Sequence, residues 1–102
     1  MAKTYAIAID GPAGAGKSTI AKALAKELGP SHITVNAVEP GVIATDMNAS
    51  LDSDAIASLC EETPLGRLGT PSDVAACALF LSGEGGDFIT GQVIGVNGGF
   101  VI

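Results

Sequence analysis

Positive charge is what this 102-residue sequence has least of: five Lys and Arg stand against eleven Asp and Glu, a formal net charge of −6. That balance excludes a general nucleic-acid partner, which needs a basic face. It also means that any anion must be captured locally, against an unfavourable field. Long apolar runs are missing, so no transmembrane helix is expected, although 47 % of the residues are hydrophobic. The opening "MAKTYAIAID" has no apolar core or small-residue cleavage site of a signal peptide, and a cytoplasmic protein is the expectation. Cysteine is scarce too. Cys60 and Cys77 show no CxxC spacing, and with the single His32 they make no zinc site. Both read as small hydrophobes inside helices. There is no tryptophan, and the length allows one small domain whose core is marginal unless a partner covers part of it.

What is present is a regular alternation of short elements. "YAIAID" (5–10) has the pattern of a buried strand that stops where glycines begin. "KSTIAKALAKEL" (17–28) predicts a helix with a stripe of Ile20, Leu24 and Leu28, widened by Ala21 and Ala25 and stopped by Gly29-Pro30. "HITVNAV" (32–38) is a β-branched strand closed by Pro40-Gly41. A helix over 53–62 follows, with Ser53 as its cap, and another from Thr70-Pro71 to Ser82 that buries Val74, Cys77, Ala78 and Leu81. "GEGGD" (83–87) is a turn, and "QVIGV" (92–96) a last strand. The order β-α-β-α-α-β points to an α/β domain with a parallel sheet.

The segment "DGPAGAGKST" (10–19) carries the strongest local chemistry. Gly11, Gly16, Lys17 and Ser18 satisfy G-x-x-x-x-G-K-[ST] between a strand and a helix. Glycines let successive N–H groups converge on one oxygen cluster, and the helix N-terminus adds free donors. The cofactor-binding set expected from this pattern is Gly11, Ala13, Gly14, Ala15, Gly16, Lys17, Ser18 and Thr19, with ATP or phosphate as ligand. Ser18 is the expected ligand of Mg²⁺, and Glu39, Asp10 or Asp46 the acid that holds the ion's water.

Residues 7–29, "IAIDGPAGAGKSTIAKALAKELG", resemble the opening of P-loop nucleoside-monophosphate kinases of the cytidylate type. The resemblance covers under a third of the chain. No arginine-bearing lid follows, because the one arginine is Arg67. From about residue 24, "LAKELGPSHITVNAVEPGVIATDM", "PLGRLGTPSDVAACALFLSG" and "FITGQVIGVNGGF" are similar to the C-terminal part of short-chain dehydrogenases/reductases. In that family the loop corresponding to Pro40, Gly41, Ile43 and Thr45 touches the nicotinamide half of a cofactor, but here it is expected to be a turn that simply ends the strand. The family's T-G-x-x-x-G-x-G fingerprint and Tyr-x-x-x-Lys pair are not matched: Tyr5 has Ile9 four residues on. The expectation is therefore no NAD(P), no catalytic residues, and neither a functional dehydrogenase nor a complete kinase.

Together these readings predict a small three-layer α/β/α, P-loop/Rossmann-like fold with a three-stranded parallel sheet in the order 1-2-3. It is one domain over 1–102, a P-loop βα unit (1–29) spliced to a dehydrogenase-like βααβ unit (30–102), and the chain reads as an engineered or selected chimera. Its expected function is binding of a phosphate-containing small molecule without turnover. A purely structural role and a rudimentary ATPase are the alternatives. The dehydrogenase resemblance also implies a homodimer through residues around 71–81 and 92–101, with no membrane partner.

Overall fold

The computed structural model describes residues 5–10, 16–45 and 51–100. Three strands, β1 (Tyr5–Asp10), β2 (Ile33–Pro40) and β3 (Val93–Val96), form one parallel sheet in the order β1-β2-β3. Tyr5 lies opposite Ile33 and Asp10 opposite Val38, while Ala37 to Pro40 face Val93 to Val96. Three helices connect them: α1 (Lys17–Leu28), α2 (Ser53–Glu62) and α3 (Pro71–Ser82), with short 3-10 turns at Gly29–Ser31 and Glu84–Gly86.

Strand alternation explains the layers. On β2, Val35 and Ala37 are fully buried against Ala21 and Ala25 of α1, with Ile9, Leu24, Leu28, Ile33 and Val93 packed around them. Val38, on the other face, shares a cleft with Val74, Ala75 and Ala78 of α3. Helices α1 and α3 thus cover opposite faces, and the three-layer expectation is met. Burying valines such as Val35 and Val38 stabilises the sheet by about 1.5–3 kcal/mol each.

Several local expectations need correction. The buried stripe of α1 is Lys17, Ala21 and Ala25, whereas Ile20 is 50 % exposed. Small residues at i and i+4 let the helix approach β2 closely, and the larger Ile20 is turned aside. Asp52, not Ser53, caps α2, its carboxylate accepting from the Ala55 N–H at 2.7 Å. No residue of α2 is buried. In α3 only Leu81 is buried; Val74, Cys77 and Ala78 are half-buried, and so is Cys60 of α2.

Thr70 caps α3 as its sequence predicts. Its hydroxyl accepts from the Asp73 N–H, and the Asp73 carboxylate accepts from the Thr70 N–H at 2.8 Å, a reciprocal capping box. Arg67 grips the same carboxylate with two bonds, 2.8 and 3.3 Å long. The Arg67 hydrogen bonds, followed by those from Thr70, hold the Asp73 carboxyl far below the usual carboxylate range, and Asp73 raises Arg67 in return. Because the folded value lies below the unfolded one, this contribution is complete above about pH 4 and fades as pH falls through the folded value. The expected result is an acid-side decline in thermal midpoint that flattens in Asp73→Asn. It should amount to a few degrees at most, since both groups meet solvent. Melting curves between pH 2 and 6 on both proteins check this.

Candidate functional site

Ligands in open parallel sheets gather at the carboxyl ends of the strands. At that edge the chain leaves β2 through Pro40, Gly41, Val42, Ile43, Ala44 and Thr45. Three backbone hydrogen bonds pin this loop. The Gly41 N–H donates to the Val96 carbonyl at 3.0 Å, tying the loop to the end of β3. The Gly69 N–H donates to the Val42 carbonyl at 2.9 Å and the Ala44 N–H to the Gly69 carbonyl at 2.8 Å, two bonds that together make Ile43 and Gly69 an isolated parallel pair. The loop is thus held from two sides, by β3 and by the segment that enters α3. Ala44 and Thr45 are exposed, and Gly41 to Ile43 are half-buried. A cleft of about 470 Å³, lined by Pro40, Ile43, Thr45, Val38, Ala8 and Val74 among others, opens beside the loop.

The other end of the site is the start of α1. Gly16 caps α1 in the left-handed conformation (φ 79°), which favours glycine, and its carbonyl accepts from the Ile20 N–H. Lys17 is 5 % exposed, and its Nζ lies 3.8 Å from Glu39 Oε2 on β2. Ser18 is half-buried and Thr19 exposed. Gly11, Ala13, Gly14, Ala15 and Asp46 lie outside the described residues, as does the side chain of Asp10. The structure therefore brings Lys17 and Glu39 together, but with the carboxylate beside the one cation that an anion would need. Among the described residues, no group of three or more His, Cys, Asp or Glu is placed to hold a metal ion. No helix of the described chain is long and apolar enough to cross a membrane.

Asn36 is a residue that motif reading passes over. It is 1 % exposed, donates to the Ile89 carbonyl at 3.0 Å and accepts from the Gln92 N–H at 3.1 Å. Next to it the Val35 N–H donates to Thr90 Oγ1 at 2.9 Å, and the Gly91 N–H to the Val35 carbonyl at 2.7 Å. These bonds hang the approach to β3 on β2 and so set the rim that receives Gly41. The signal was visible as a polar residue inside a β-branched run.

Comparison with known proteins agrees with this geometry. A family model described as enoyl-(acyl carrier protein) reductase matches residues 3–101. The 3-oxoacyl-(acyl-carrier-protein) reductase of Aquifex aeolicus is 51 % identical over 85 residues, which is 83 % of this chain and 34 % of that protein. An NADPH-dependent aldehyde reductase-like chloroplast protein of Arabidopsis thaliana is 43 % identical over 88 residues, 85 % of this chain and 33 % of that one. The crystal structure of a glucose/ribitol-type short-chain dehydrogenase/reductase from Brucella melitensis superimposes with a TM-score of 0.86 at 32 % identity, covering 95 % of this chain and 45 % of that one. The chain spans about a third of the length of these curated relatives.

These findings overturn three expectations. The family match runs through residues 7–29, so the segment that resembles a kinase lies inside a reductase match, and no support for a kinase portion emerges. Phosphate or ATP binding through residues 11–19, with Mg²⁺ on Ser18, gives way to an oxidoreductase relationship. The proximity of Lys17 to Glu39 is consistent with this, because the half-buried Glu39 carboxylate, 3.8 Å away, already offers Lys17 a negative neighbour. The expectation of no NAD(P) is contradicted as well, because it rested on unmatched motifs while a relative matched over 85 % of this chain is by name NADPH-dependent. The chain belongs to the short-chain dehydrogenase/reductase family.

Proposed function

We propose that this chain supplies the nicotinamide-facing rim of an NAD(P)H-dependent reductase. The observation that carries the reading is the loop 40–45, fixed by backbone bonds to Val96 and Gly69 at the carboxyl edge of the sheet. The residues fit such a group. Gly41 packs so tightly on Asn97 that a side chain has no room, and the adjoining cleft lies in the size range of small-molecule sites. Pro40, Ile43 and Thr45 would hold the nicotinamide half, Pro40 and Ile43 excluding water and Thr45 offering a hydroxyl. The cofactor, when bound, supplies the hydride.

Proton donation is not assigned to this chain. Its one tyrosine, Tyr5, begins β1 opposite Ile33, at the far end of the sheet from Pro40. Seven strand steps separate those ends by about 23 Å. As substrate class we take the 3-oxoacyl-(acyl-carrier-protein) named for the Aquifex relative. Titration of NADPH fluorescence tests the rim: saturable binding, weakened about tenfold in Ile43→Asp, is expected. Equal binding by the variant, or none by the wild type, overturns the reading.

The partner we propose is a second copy of the chain. Helix α3 is apolar almost all round, with Leu79 76 % and Phe80 59 % exposed, and such a helix calls for a cover. Light scattering is expected to give twice the chain mass, and Leu79→Glu with Phe80→Glu to give a monomer. A wild-type monomer at high micromolar concentration contradicts this. We also propose that residues 1–29 and 30–102 unfold as one domain, because Ala21 and Ala25 of the first unit pack on Val35 and Ala37 of the second. Fluorescence-independent probes should then report a single transition.

A further inference from the structure

We infer that the outer edge of β1 pairs antiparallel with β1 of a second copy of the chain, about a twofold axis that passes at Ile7. Among the described residues β1 bonds to β2 alone, so its other edge carries a row of unpaired backbone groups. Natural edge strands are commonly blunted by a lysine, a proline or a bulge. Residues 5–9, Tyr-Ala-Ile-Ala-Ile, contain no charge and no proline, and their register against β2 runs without a break. An edge of this kind accepts another strand.

The faces of β1 are incomplete in the same way. Tyr5, Ile7 and Ile9 share the side on which α1 packs, because they stand opposite Ile33, Val35 and Ala37. Helix α1 rests its Ala21 and Ala25 on β2, and beyond it Tyr5 stays 67 % exposed and Ile7 38 %. On the other face Ala6 is half-buried and Ala8 exposed. The buried middle of β2, Thr34 to Val38, thus borders an apolar strand left half open.

Self-complementarity selects the occupant. An axis perpendicular to the sheet keeps both α1 helices on one side and makes the two strands antiparallel. With the axis at Ile7, that residue stands opposite Ile7 of the second copy, Tyr5 opposite its Ile9, and Ala6 opposite its Ala8. This register alone pairs all the uncharged residues 5–9 with one another. Large apolar side chains then meet on the α1 side, where aromatic and β-branched cross-strand pairs are favourable, and small ones meet on the other. Charge points the same way. The chain carries −6 overall, so copies repel, and residues 5–9 are a stretch along which they meet without a charge. The contact is separate from the one proposed at α3 and does not depend on the nicotinamide reading. It engages only the short strand Tyr5–Asp10 of each copy, so its dissociation constant is on the order of 0.1–1 mM. Dimers joined at α3 therefore associate further only as concentration rises.

Cysteine pairing reads the register directly. In a Cys60→Ser, Cys77→Ser background, Ile7→Cys and Tyr5→Cys are each oxidised mildly at about 1 mM chain, and the covalent dimer is followed. Residues opposite each other in an antiparallel pair hold their Cβ atoms about 5 Å apart, close to disulfide reach. Ile7→Cys is expected to cross-link roughly tenfold faster than Tyr5→Cys, although Tyr5 is the more exposed position. Equal rates, or a faster Tyr5→Cys, would mean random collision and overturn the pairing. Amide exchange on the wild-type chain checks it without any substitution. The amides of residues 5–10 should gain several-fold protection between about 20 µM and about 2 mM chain, while those of β2 stay unchanged. Protection that does not vary with concentration would leave the edge to a strand of another polypeptide, and this too overturns the proposal.

Discussion

Replacing Asn36 by leucine is expected to cost the protein about 2–4 kcal/mol. The side chain is wholly enclosed, and its amide joins β2 to the segment that leads into β3 through Ile89 and Gln92. Leucine fills the space but satisfies neither the Ile89 carbonyl nor the Gln92 N–H, and each part-buried orphan carries a penalty of about 1–2 kcal/mol. The bonds that join Val35 to that segment, from the Val35 N–H to Thr90 Oγ1 and from the Gly91 N–H to the Val35 carbonyl, lose their anchor as well. Against a total stability of about 5–15 kcal/mol for a chain of this length, the variant falls near the threshold of folding. Urea denaturation checks it. A loss below about 1 kcal/mol would mean that the segment is held by other contacts.

The second large effect is expected at Gly41, where alanine should remove about 2 kcal/mol and loosen the loop that follows. The reason is space, not backbone angle. An added Cβ would stand 2.7 Å from Asn97 Cβ and 2.8 Å from Asn97 Cα, and neither atom is the yielding end of a flexible side chain. Relief requires the loop to move away from β3, stretching the bond from the Gly41 N–H to Val96. Overpacking of this kind costs about 1–3 kcal/mol, and the thermal midpoint should drop by roughly 10 °C. NADPH affinity should fall with it. A Gly41→Ala protein with unchanged melting temperature would show that the rim is not the rigid support described here.

The elements of this fold were legible in the sequence because each has a strong local cause. β-Branched alternation marked β2, Gly29-Pro30 ended α1, and the Thr70-Pro71 pair opened α3. What escaped depends on distance through space. Counting apolar size put Ile20 in the core, whereas the close approach of α1 to β2 selected Ala21 and Ala25. Asp52 and Ser53 are equally able caps, and only the path of the chain chooses between them.

The site shows the same division. The G-x-x-x-x-G-K-S pattern is a local one, and it led to a phosphate reading. The partner that changes its meaning, Glu39, comes from the next strand, twenty-two residues away in sequence. Family resemblance pointed to the loop at Pro40 to Thr45, which was expected to be only a strand-ending turn because its anchors at Gly69 and Val96 are non-local. Asn36 was visible as an oddity in β2; its partners at 89 and 92 were not.

The most direct test of the nicotinamide-rim assignment is a map of backbone amide shifts on adding NADPH to the intact chain. The account predicts saturable changes centred on Gly41 to Thr45 and reaching Val96 and Asn97. Changes confined to the start of α1, or none at these positions at millimolar NADPH, would contradict it.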